Sequence, residues 1–256
     1  MHILVTNDDG VNSPGLLALA QAMRELGKVT VLAPERNWSA SGHVKTMDRP
    51  LRVHETHLAD GSLALMSDGA PADCVALALL GIVPEKIDLV VSGVNTRANL
   101  GWDVTYSGTV TAVMEAVIGG VTGVAVSFDI QPGNASPNFS MAAQAGAQVV
   151  ANLIKNGLPK GIFLNVNVPD LSGRPLKGFQ VTRQGLRIYR DALDARVDPR
   201  GRPYYWIGGD FPTGTAEDGT DVGALAAGYV SVTPLHLDLT AHQTMNELKQ
   251  WQWGNP

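Results

Sequence analysis

What most constrains this chain is a rhythm that begins with its first residues: an apolar run, an amphipathic segment, and a second apolar run. ILVTN is followed by PGLLALAQAMREL and then by KVTVLAP. In the middle segment Ser13 stands where a helix cap belongs and Pro14 occupies the first turn, while Leu16, Leu17, Ala20, Met23 and Leu26 recur at helical spacing. The rhythm returns in DGAPADCVALALLG leading to IDLVVSGVN, in SGTVTAVMEAVIGG leading to VTGVAVSF, and in a helix predicted over 141–154 leading to GIFLNVNVP. Runs such as IDLVV and VAVSF are apolar on both faces, which suits a parallel sheet covered by helices on each side. The predicted fold is α/β: a Rossmann-like, three-layer, doubly wound and mainly parallel sheet.

After about Gly173 the βα rhythm stops. QGLRIYRDALDARVDPRGRPYYWIGGD reads as a long hairpin arm over 184–210 with its tip at DPRGRP. YVSVTPL is then a strand, and LTAHQTMNELKQWQW a terminal helix over 239–253. With no repeat or low-complexity linker, residues 1–256 are expected to form one domain bearing an arm. Ile188, Tyr189, Tyr204, Tyr205 and Trp206 give the arm more apolar surface than a solitary ribbon can hide, so it is expected to embrace a second subunit.

Composition narrows the function. Hydrophobic residues make up 45% and charged residues 17% of 256 residues, values of a chain with a full core. A net charge of -5 gives no basic surplus to neutralise a nucleic-acid polymer. The single cysteine excludes an internal disulfide framework. No apolar stretch reaches the roughly 18 residues of a membrane span and no secretory pattern opens the chain, so a cytoplasmic location is expected.

In an open parallel sheet, ligands bind where the loops converge beyond the carboxyl ends of the strands. ILVTN is followed by Asp8 and Asp9, TVLAP by a polar loop carrying Ser39, and LVVSGV by Asn95. All four offer oxygen, and with no His or Cys nearest to them the set favours a hard divalent ion, Mg²⁺ or Mn²⁺, over zinc. Ser107-Gly108-Thr109 opens a helix, where free N–H groups and the dipole suit a phosphate, although a plain helix cap would read the same. A metal beside a phosphate pocket suggests phosphoryl transfer, most simply to water.

The segments VTNDDG, SASG (39–42), SGVN, YSGTV and GYVSVTPL, in this order over nearly the whole chain, resemble the SurE family of survival proteins, metal-dependent 5'-nucleotidases acting on nucleoside monophosphates. The resemblance implies one divalent ion held by Asp8, Asp9, Ser39 and Asn95. It implies phosphate-side contacts from Asn12, Gly93, Ser107, Gly108 and Thr109, with Asn95 beside them. It also implies oligomerisation through the hairpin, as a homodimer or homotetramer. Arg97 departs from it, standing where glycine is expected in many relatives. Asp8 is the expected assisting carboxylate, with Asp9 beside it. Cys74 and Met114 are expected in the core, and His43 is the histidine nearest the site loop, able to touch substrate or leaving group. Two rival readings remain: a haloacid-dehalogenase-like phosphatase with an aspartyl-phosphate intermediate, against which the adjacency of the two aspartates counts, and a nucleotide-binding regulator without turnover.

Overall fold

The structure is a computed structural model and describes residues 1–254. Its centre is a nine-stranded sheet built from β1 (His2–Thr6), β2 (Lys28–Pro34), β3 (Val53–His57), β4 (Leu63–Ser67), β5 (Leu89–Asn95), β6 (Gly123–Asp129), β7 (Phe163–Pro169), β8 (Phe179–Val181) and, out of chain order, β11 (Val230–Leu235). The spatial order is β3-β4-β2-β1-β5-β6-β7-β11-β8. Strands β4 through β7 in that order run parallel, β3 pairs antiparallel to β4 and β11 antiparallel to β7, and β8 runs parallel to β11 at the far edge. The chain winds outward from β1 to β2 and β4, then crosses to β5 on the other side of β1. The switch of direction therefore lies between β1 and β5, the place where such sheets open a crevice.

Helices α1 (Pro14–Arg24) and α4 (Phe139–Asn156) cover one face, and α2 (Pro71–Leu77) and α3 (Gly108–Ile118) the other. Strand alternation divides the core between them: Ile3, Val5, Val91 and Val126 pack with Leu16, Leu19 and Val150, whereas Leu4, Leu32 and Val90 pack with Cys74, Val75, Ala112 and Ala116. Cys74 is fully buried and Met114 partly buried in a neighbouring cluster, as expected of core residues. Ser13 caps α1 by accepting the Gly15 N–H at 3.2 Å, and α4 runs slightly beyond its predicted bounds at both ends.

The predicted arm is present as a separate antiparallel ribbon, β9 (Arg187–Val197) and β10 (Pro203–Gly214), turning at residues 198–202, so it reaches four residues past the expected end. The terminal helix is corrected from 239–253 to α6 (His242–Leu248), with no buried residue. The apolar side chains of Leu239, Met245 and Trp251 find no surface to pack on and stay exposed, so little holds the flanking turns helical. The short helix α5 (Asp221–Ala226) precedes β11. None of the described helices is long and apolar enough to cross a membrane.

Candidate active site

The site begins where β1 ends. Asn7, fully buried, closes the turn on itself: its Nδ2 donates to Gly10 O at 3.0 Å and its Oδ1 accepts the Gly10 N–H at 3.2 Å. Gly10 has φ +100°, a conformation side chains avoid, so the chain can turn sharply while leaving two consecutive carboxylates at the strand end.

Asp8 is 3% exposed. Its Oδ1 accepts the Thr109 hydroxyl at 2.5 Å, and the Gly108 and Thr109 amides at the start of α3 also favour its charged form. Burial outweighs these contacts and lifts the Asp8 carboxyl above its ordinary range. The approach of α3 explains Gly108: a Cβ there would lie 2.7 Å from Asp8 Cβ. Asp9 accepts from Asn37 Nδ2 at 3.3 Å through Oδ1, while its buried Oδ2 has no hydrogen-bond partner in the described structure. Burial first, and the Asp8 charge second, push the Asp9 carboxyl up to about 7.

The other expected residues converge from neighbouring strand ends. The Trp38 N–H donates to Asp8 O at 2.7 Å, which ties the Ser39 loop to the carboxylates, and the Ser39 N–H is held by Asn37 Oδ1 at 2.7 Å. Asn95 ends β5, which pairs with β1 at Ser92 and Thr6. It spends its Nδ2 on Arg97 O at 2.7 Å and keeps its side-chain oxygen. Asn12 is exposed in the turn before α1. Gly93 is buried in β5, where a Cβ would meet Val126 O at 2.2 Å, so packing alone demands glycine there.

Ser107 is less available than its place in the motif suggests. Its hydroxyl caps α3 by accepting the Val110 N–H at 3.1 Å, and its own N–H is spent on Asp103 O at 3.0 Å. The single turn at Gly101–Thr105 leads directly into α3 and consumes that donor, leaving the Gly108 and Thr109 amides at the helix start.

Several residues beyond the sequence reading support the site. Asn99 anchors the loop after Asn95: its N–H donates to Asn167 Oδ1 at 2.7 Å, its Nδ2 to Ser127 Oγ at 2.7 Å, and its C=O accepts from Asn165 and Asn167. Asparagines in an otherwise apolar strand, NVNV, were the signal available for this network. Arg97 lies over the Phe211 ring at 4.6 Å, so the departing residue links the site loop to the arm. His43 is occupied by Glu115, 2.9 Å from Nε2.

The profile of the family described as survival protein SurE matches residues 3–191. The chain belongs to the SurE family. It is 54% identical to the 5'-nucleotidase SurE of Herpetosiphon aurantiacus, with all of both chains covered, and 52% identical to that of Chloroflexus aggregans, covering 99% of this chain and 100% of that protein. The crystal structure of the SurE protein from Aquifex aeolicus matches with a TM-score of 0.80 at 41% identity, covering 97% of this chain and 98% of that one. The α/β fold and its family are thus those expected of the motifs.

Proposed function

We propose that this member of the SurE family is a divalent-metal-dependent phosphomonoesterase that hydrolyses nucleoside 5'-monophosphates to nucleoside and phosphate. The observation that carries the reading is the Asp8–Asp9 pair: two adjacent carboxylates, both raised, one with a buried oxygen that has no partner. Such a pair lacks a countercharge. Among the described residues no three His, Cys, Asp or Glu side chains gather as a metal group, so a cation here must draw on neutral oxygens as well, which is the chemistry of Ser39 and Asn95. Mg²⁺ or Mn²⁺ fits that donor set and would supply charge neutralisation of the phosphoryl group and activation of water.

The chain's own contribution follows from the contacts. Thr109 fixes the orientation of Asp8, which serves as the carboxylate that aligns the attacking water. The Gly108 and Thr109 amides bring the positive end of α3 to the place where phosphoryl charge develops. Asn12, exposed in the turn before α1, and Asn95, at the end of β5, would contact the phosphate. The 5'-nucleotidase names of the relatives support the substrate class. The arm, with Leu193, Ile207 and Phe211 largely exposed, suits exchange with a second subunit.

A phosphate-release screen over AMP, GMP and an aryl phosphate, with and without each metal, tests the reading. AMP or GMP should give the higher kcat/KM. Binding of a monophosphate with no release under any divalent metal would make the protein a regulator instead.

A further inference from the structure

Helix α3 is apolar and buried along most of its length, yet it carries one carboxylate, Glu115, that is 5% exposed. A buried carboxylate requires partners. Both come from the loop after β2: His43 Nε2 stands 2.9 Å from Oε2 and Lys45 Nζ 2.9 Å from Oε1. The same stretch is fastened at Gly42, whose N–H donates to Tyr106 O at 2.9 Å and whose C=O accepts the Thr111 hydroxyl at 3.1 Å. It is fastened again at Thr46, whose N–H and hydroxyl donate to the buried Asp73 carboxylate at 2.9 and 2.7 Å. At the other end the Trp38 N–H holds Asp8 O. Ser39 and Ala40, both exposed, lie between these anchors, and Ala40 and Gly42 take φ of +58° and +63°.

We propose that Glu115 is a positioning residue, which grips His43 and Lys45 to hold the 39–46 segment against α3 and so fixes Ser39 relative to Asp8 and Asp9. The inference rests on reading Asp8, Asp9 and Ser39 as a cation site. One rigid helix then does two things: its first turn orients Asp8 through Thr109, and its later turn sets the loop that completes the oxygen cluster. Partners behind a metal's direct ligands commonly matter in this way, and their removal costs about 10- to 100-fold in metal affinity or activity.

The test uses the full chain and three readouts: amide hydrogen exchange of residues 39–46, Mn²⁺ affinity by titration calorimetry, and KM and kcat with AMP. Glu115→Gln should speed exchange in 39–46 by about tenfold or more, since charge-assisted hydrogen bonds are lost, while exchange in β5 stays unchanged. It should weaken Mn²⁺ binding about 10- to 100-fold and raise KM more than it lowers kcat. His43→Gln, which keeps an N–H donor, should retain more of the Mn²⁺ affinity than His43→Ala. If Glu115→Gln fails to fold, His43→Ala and Lys45→Met on the exposed loop answer the same question. Unchanged loop exchange and Mn²⁺ affinity in the loop variants, or faster exchange throughout the chain, would overturn the proposal. Failure of the functional reading shows separately, as no phosphate release from the unaltered protein, and leaves the exchange result to decide the loop's anchoring.

Discussion

The Thr109 hydroxyl donates to Asp8 Oδ1 over 2.5 Å, joining the first turn of α3 to the end of β1 across 101 positions of sequence. Both groups are buried, so neither can exchange the contact for water. Thr109→Val removes the donor at nearly constant volume. It should raise the Asp8 carboxyl further, since Thr109 is the largest influence lowering it. We expect a stability cost of about 1–3 kcal/mol in thermal or denaturant unfolding and a larger proportional loss in kcat than in KM.

Asp9 gives a pH dependence. Its carboxyl stands at about 7 in the folded chain against 3.8 unperturbed, so between these values the folded state holds a proton that the unfolded state has released. The resulting stabilisation is fully present below the unfolded value and is lost as pH rises through the folded one. Unfolding temperatures measured in EDTA should therefore fall across this window, and Asp9→Asn should flatten the profile. Mn²⁺ should raise the unfolding temperature more at about pH 8 than at about pH 5, because it binds the ionised pair. An equal rise at both would argue against a cation at Asp9.

Removal of the metal should abolish turnover, and Mg²⁺ or Mn²⁺ should restore it. Asn95→Ala should lower kcat by a factor on the order of 10² while circular dichroism stays unchanged, because the residue ends a strand at the crevice and lies outside the core clusters. Full activity in excess EDTA, or in Asn95→Ala, would remove the basis of the proposed site.

Direct attack by water inverts the phosphorus, whereas an aspartyl-phosphate route gives net retention through two displacements. Chiral phosphate analysis should show inversion. A covalent phosphate trapped on Asp8 or Asp9 would decide for the second route.

The arm can be shortened at a paired rung. Asp191 faces Gly209, so replacing residues 192–208 with an Asn-Gly turn closes the ribbon without disturbing its root. The root itself is tied down by Tyr189, whose hydroxyl donates to Asp103 at 2.6 Å. Light scattering should show a smaller assembly than the full chain; an identical assembly would place the subunit contact elsewhere.

Local chemistry in the sequence determined the sheet strands that alternate with helices, the Ser13 cap, and the placing of Asp8, Asp9 and Asn95 at strand ends. These follow from periodicity and turn residues that need no distant partner. Strand β3, VHETH, left no such signal: it is polar and half exposed, and its pairing with β4 makes it a strand. The terminal helix shows the converse, a helical composition shortened to His242–Leu248 for want of a surface to pack on. The contacts that give the site its character were decided by tertiary structure alone. Thr109 reaches Asp8, Glu115 grips His43, and Asn167 binds Asn99 only because parallel crossovers bring distant segments to one edge of the sheet. Sequence can show that a buried carboxylate or amide needs a partner; which group supplies it depends on chain topology, because burial makes the contact obligatory and the fold determines what is within reach.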